Sequence, residues 1–111
     1  MFPFAQPDVP TVPVTDLDPT EPATPGVVLL DVRELDEWEA GHAPGAVHIP
    51  LAELPARYGE LDAEGRVLVI CHSGARSAQA TRWLTEAAGY DAANVDGGMV
   101  AWARAGLPMV R

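Results

Sequence analysis

Two stretches of the chain, Val27-Val28-Leu29-Leu30 and Val67-Leu68-Val69-Ile70, are apolar at every position. An alternating strand can leave one face in water, whereas a continuous one must be covered on both, as inside a parallel sheet with helices packed above and below. The intervening segments supply such helices. Glu34 to Ala40 is helical in character and is stopped by Gly41, and Pro55 to Leu61 opens on a proline. Ala75 to Ala88 puts Ser77, Ala80, Leu84, Ala87 and Ala88 on one face before Gly89. Ala46 to Ile49 and Ala92 to Val95 read as short strands, and Gly97-Gly98 as a turn into a helix over Met99 to Ala105. This alternation predicts right-handed crossovers and an α/β fold: an open parallel β-sheet with helices on both faces.

A chain of 111 residues makes one domain. Seven of the 11 prolines lie between Pro3 and Pro25, which limits regular structure there to an edge strand around Thr11 to Val14. Residues 1–10 are expected to form an extended proline-rich arm and residues 11–111 the domain. Seven Lys plus Arg against 16 Asp plus Glu give a net charge of -9, the wrong sign for phosphate backbones or anionic lipid. Neither nucleic acid nor a membrane is an expected partner. The seven cations are all arginines, so Schiff-base and P-loop chemistry, which need a lysine amine, are excluded. The single cysteine, Cys71, excludes an internal disulfide and a CxxC pair. With it, the scattered His42, His48 and His72 have no metal-ligand spacing, so neither metal nor cofactor is expected. Met1 to Asp8 lacks the basic and apolar regions of a secretory signal, and no apolar run approaches the ~20 residues of a membrane span. The expected location is the cytoplasm, where a lone cysteine stays reduced.

In an open α/β sheet, ligands bind at the carboxyl ends of the strands. Val67 to Ile70 ends directly in Cys71-His72-Ser73-Gly74-Ala75-Arg76-Ser77 before a helix. A loop turning into a helix N-terminus around Gly74 points backbone N–H groups inward and adds the positive end of the helix dipole, and Arg76 adds a full charge. Such a field favours thiolate over thiol. A lone cysteine at a strand end is commonly just a small buried hydrophobe. That role needs neither a glycine turn nor an arginine beside it, so Cys71 reads as a nucleophile in an anion cradle.

Five motifs occur in order: Leu30-Asp31-Val32-Arg33-Glu34, Gly41-His42-Ala43-Pro44-Gly45-Ala46, Ile49-Pro50-Leu51, the Cys71 to Ser77 loop, and Gly97-Gly98 followed by Ala101-Trp102. Together they make the sequence resemble a single-domain rhodanese, the thiosulfate sulfurtransferase homology domain. Asp18 to Gly26 departs from that resemblance, being poorer in helix formers than the family's first helix. The resemblance implies a ping-pong sulfurtransferase reaction. Cys71 would take sulfane sulfur from a small donor such as thiosulfate, become a persulfide, and pass the sulfur to cyanide, a thiol or a protein acceptor. The backbone amides of His72, Ser73, Gly74, Ala75, Arg76 and Ser77 would bind the charged sulfur, and Arg76 would orient an anionic donor.

Two rival readings remain. Cysteine phosphatases place five residues between cysteine and arginine; here four, His72 to Ala75, separate Cys71 from Arg76, a tighter ring that suits a sulfur atom better than a phosphoryl group. A rhodanese-fold binding module or sulfur carrier without turnover is the other. Among nearby residues, Arg33 has two readings: it reaches the mouth of the site from the end of its strand, or it forms a structural ion pair with Glu37 four residues on. Asp31 is expected to brace the active loop, and His42 and His48 to be architectural. His72 adjoins the nucleophile, but its side chain is expected to point outward rather than serve as a base. Trp38, Trp83 and Trp102 read as core or groove aromatics, and Glu34, Asp36, Glu37 and Glu39 as a solvated helix face.

Overall fold

A computed structural model describes residues 9–17 and 26–111. Five strands, β1 (Thr11–Pro13), β2 (Val27–Asp31), β3 (Val47–His48), β4 (Arg66–Ile70) and β5 (Asp91–Asp96), form one sheet in the order β1-β5-β4-β2-β3. Every pairing is parallel. The continuous apolar runs occupy β2 and β4, side by side in register from Val27 against Arg66 to Asp31 against Ile70. The expectation of an open parallel sheet is met.

Strand alternation divides β4 between two cores. Val67 and Val69 point to one side, where Leu30, Ile49, Ala80, Leu84 and Tyr90 pack, while Leu68 and Ile70 point to the other with Leu29, Val95, Met99 and Trp102. The first core is closed by α2 (Leu54–Arg57) and α3 (Ala75–Glu86), the second by α4 (Gly98–Arg104). Cys71 continues the alternation of Val67 and Val69 and so emerges on the α3 side. Trp102 is fully buried, and its indole N–H donates to Pro108 O at 2.8 Å, which ties the C-terminal segment down. Val110 completes the attachment through paired backbone hydrogen bonds with His42. Burial of each large apolar side chain of this kind is worth about 1.5–3 kcal/mol.

Several elements differ from the sequence expectation. The helix over Pro55 to Leu61 is only one turn, α2, flanked by 3-10 turns at Leu51–Glu53 and Tyr58–Glu60. Gly59 favours the break, and Arg57 bonds both Glu53 and Glu60, holding the bent segment across its outer face. Helix α3 stops at Glu86, so Ala87 is exposed and outside the buried stripe of Ser77, Ala78, Ala80, Thr81 and Leu84. Gly89, left-handed at φ +74°, then turns the chain so that Tyr90 N–H closes on Leu84 O. The expected helix Glu34 to Ala40 is α1 (Leu35–Ala40), opened by a capping box between Glu34 and Glu37.

At the near end, β1 is an edge strand as expected, with Val9 buried beside it and Pro10 O accepting Asn94 N–H at 2.7 Å. Residues 1–8 of the expected arm lie outside the described residues, as do residues 18–25 of the segment poor in helix formers. Among the described residues, no helix is long and apolar enough to cross a membrane.

Candidate functional site

The carboxyl end of β4 delivers Cys71 to the head of α3. Gly74 is the N-cap of that helix, left-handed at φ +116°, a conformation that strains any residue with a side chain. The turn it permits aims its own N–H at Cys71 Sγ, 3.1 Å away. From the first turn of α3, the Ser77 hydroxyl reaches Sγ at 3.2 Å and lies 2.5 Å from Asn94 Oδ1 on β5. Cys71 and Ser77 are both almost fully buried. Two groups, an amide and a hydroxyl, therefore contact the sulfur at the positive end of a helix dipole, a pattern a core thiol does not need.

Behind the loop stands α4. Met99 N–H donates to Cys71 O at 2.8 Å and Val100 N–H to His72 O at 3.0 Å. In a trans peptide the C=O and the following N–H point in opposite directions. Holding these two carbonyls against α4 therefore turns the amides of His72 and Ser73 away from α4. The close approach requires Gly98, because a Cβ there would stand 2.4 Å from Cys71 O and 2.6 Å from His72 O.

Arg76 does not stand free over the sulfur. Its Nη1 and Nη2 donate to Glu37 Oε1 and Oε2 on α1 at 2.7 and 2.9 Å, a bidentate ion pair across the mouth of the loop. The Arg76 bonds, helped by the Glu34 N–H, outweigh burial and hold the Glu37 carboxyl at about 2. Two expectations are corrected here. Glu37 is not a solvated charge, and it does not pair with Arg33. The helical four-residue spacing fails because Arg33 lies in the bend before α1, which begins at Leu35. Arg33 instead folds back on Asp31, with Nε 3.0 Å from both carboxylate oxygens and Nη2 2.8 Å from Oδ2, and also donates to Gly41 O. Asp31 accordingly braces the loop after β2, not the active loop.

His72, Ser73 and Ala75 are exposed, and the His72 ring projects outward as expected. His42 and His48 stack on the two sides of Trp38, with ring centroids 3.5 and 4.7 Å away, and each bonds a backbone carbonyl, so both are architectural. Of the seven site residues read from the sequence, the structure gathers Cys71, Gly74 and Ser77 around one sulfur and turns Arg76 aside to Glu37. Sequence reasoning missed Asn94, Glu37 and Gly98. Asn94 had a signal, since an amide in the apolar run Ala92 to Val95 requires a buried partner. Among the described residues no group of three His, Cys, Asp or Glu side chains could hold a metal ion. A groove of about 650 Å³ starts at Glu34 and Arg76 and follows α3 to Glu86 and Ala87.

Comparison with known proteins adds four findings. Residues 20–105 match the rhodanese-like domain family. The chain is 39% identical over 87 residues to a protein named "Sulfurtransferase" from Allochromatium vinosum, covering 78% of this chain and 81% of that one. It is 45% identical over 74 residues to the "Putative sulfur carrier protein YrkF" of Bacillus subtilis, covering 67% of this chain but only 40% of that protein's length. The crystal structure of a rhodanese-related protein from Thermoplasma volcanium superimposes with a TM-score of 0.82 at 31% identity, covering 91% of this chain and 97% of the other.

Proposed function

This chain belongs to the rhodanese-like domain family, and from that premise we propose that it is a sulfurtransferase that carries sulfane sulfur on Cys71. In the first half-reaction the Cys71 thiolate attacks the outer sulfur of a donor such as thiosulfate. The donor's S–S bond breaks, sulfite leaves with the bonding electron pair, and Cys71 becomes a persulfide. In the second half-reaction a thiolate or cyanide attacks the outer persulfide sulfur and releases the Cys71 thiolate. No external oxidant or reductant is needed. The acceptor is a thiol, cyanide or a protein thiol.

The observation that carries this reading is the Gly74 N–H donated to Sγ at 3.1 Å, with the Ser77 hydroxyl 3.2 Å from the same sulfur, at the N-terminus of α3. Both the thiolate and the persulfide are anions, and each is stabilised by such a donor and by the helix dipole. The amides from His72 to Ser77 form the ring that receives the outer sulfur. The ring is one residue shorter than the phosphatase pattern, which supports sulfur over phosphoryl transfer.

Intact-protein mass spectrometry tests the reading. After exposure to thiosulfate, a hydropersulfide or a trisulfide, the protein gains one sulfur atom, loses it to a reducing thiol, and gains none as Cys71→Ser. Uptake from none of the three donors overturns the sulfurtransferase reading in favour of a binding module. Uptake without steady-state turnover to cyanide or thiols makes the chain a sulfur carrier.

A further inference from the structure

The full positive charge of the Cys71 loop resides on Arg76, five residues after the cysteine in the first turn of α3. Both of its terminal nitrogens are engaged by Glu37. The Nη1–Nη2 edge that Glu37 occupies accepts one planar or tetrahedral oxyanion at a time. A thiosulfate sulfonate that used it would have to displace the carboxylate and then lie beside it, unpaired, in a chain already carrying -9. Beside the same ion pair opens the groove of about 650 Å³, a volume suited to a small organic molecule. Leu51, Leu54, Pro55 and Trp83 give it an apolar wall, and its charged lining residues, Glu34 and Glu86 with Arg76 and Arg82, balance in sign. Sulfite, the leaving group from thiosulfate, has no body to fill it.

We propose that Glu37 sets donor choice at the Cys71 loop: by cancelling the charge of Arg76 it disfavours thiosulfate and favours an organic hydropersulfide whose uncharged body lies in the groove along α3. The proposal rests on the sulfurtransferase reading above. The Cys71 thiolate attacks the outer sulfur of R–S–SH. The donor S–S bond breaks, its electron pair leaves on the inner sulfur as RS⁻, and the proton stays on the new Cys71 persulfide until solvent removes it. Atoms and charge balance, and no redox partner enters. The groove, whose lining acids and arginines balance in sign, matches an uncharged R group, while the loop amides serve the transferred sulfur whichever donor brings it.

Steady-state sulfur transfer to cyanide is measured for wild type, Glu37→Gln and Ala52→Trp, the last adding bulk to the groove wall. The donors are thiosulfate, methyl hydropersulfide and benzyl hydropersulfide. Wild type is expected to have a higher kcat/KM for benzyl than for methyl hydropersulfide, and for either than for thiosulfate. Glu37→Gln frees the Arg76 fork, so the KM for thiosulfate falls about tenfold relative to that for benzyl hydropersulfide, with kcat changing much less. Ala52→Trp shifts the ratio the opposite way by raising the KM for benzyl hydropersulfide. Equal effects of Glu37→Gln on all donors overturn the proposal and reduce Glu37 to a loop brace. If that variant does not fold, equal KM values for benzyl and methyl hydropersulfide in wild type, or an Ala52→Trp ratio that does not move, overturn it instead. Failure of the sulfurtransferase reading looks different: no donor then loads Cys71 at all.

Discussion

Replacing Gly98 by alanine tests whether α4 holds the Cys71 loop in its working shape. The added Cβ would lie 2.4 Å from Cys71 O, against an ordinary contact of 3.4 Å or more, so the loop must retreat by about 1 Å. The Met99 N–H···O=C bond to Cys71, now 2.8 Å, then stretches beyond hydrogen-bonding range, and the Val100 bond to His72 follows. Losing both costs about 2 kcal/mol, and placing alanine at φ +56° adds about 1–2 kcal/mol. A total of roughly 3–4 kcal/mol leaves a domain of ordinary stability folded but lowers its Tm by roughly 10–20 °C. Movement of the amides around Sγ by about 1 Å predicts a loss near 10²-fold in kcat/KM for sulfur transfer. Gly106→Ala is the control, because Gly106 has a similar φ of +72° with nothing within 4 Å of its would-be Cβ. It should show the conformational cost alone, with wild-type activity. Thermal melts by circular dichroism and steady-state assays read both effects. If Gly98→Ala matches Gly106→Ala in activity, the loop is not held by α4 and the reasoning is wrong.

Because the Glu37 carboxyl is lowered from 4.5 to about 2, the Arg76 pair adds stability that is complete above pH 4.5 and is lost as pH falls toward 2. With Arg76 about one-third exposed, solvent screening limits this to about 1 kcal/mol; the Tm gap between wild type and Glu37→Gln should close on acidification, and a constant gap would contradict it. Ser77→Ala removes the hydroxyl that lies 3.2 Å from Sγ and should cut kcat for sulfur transfer about tenfold, as read in steady-state assays. A wild-type kcat in this variant would exclude the hydroxyl from the role given to it. Inserting one residue between Gly74 and Arg76 should weaken sulfur transfer and admit aryl phosphates; undiminished sulfur transfer would show that ring size is not the selector.

The parts of the fold that were legible are those written in local pattern. Val27 to Leu30 and Val67 to Ile70 could only be doubly covered strands, and the Cys71 to Ser77 loop carries its turn residue, Gly74, three positions after its cysteine. Interactions between distant segments were not legible. Glu37 and Arg76 are 39 positions apart, and nothing in either neighbourhood announces the other. The Arg33–Glu37 reading failed because a helical spacing rule was applied across a helix start, where the nearer Asp31 lay within reach. Gly98 read as half of a turn, since the carbonyls that require its missing side chain belong to a loop more than 20 residues earlier. The helix expected over Pro55 to Leu61 broke because its propensity competed with Gly59 and with an arginine held by carboxylates on both sides.

The sheet ends in very short strands, three residues in β1, one of them Pro13, and two in β3. A strand edge exposes unpaired amides and carbonyls that can recruit the edge of another molecule, and long flat edges seed aggregates. Here proline removes a donor from one margin and the other offers only Val47 and His48. The reactive centre thus sits on a platform with little capacity to template a second sheet, and crowding should leave such molecules separate rather than stitched together through their backbones.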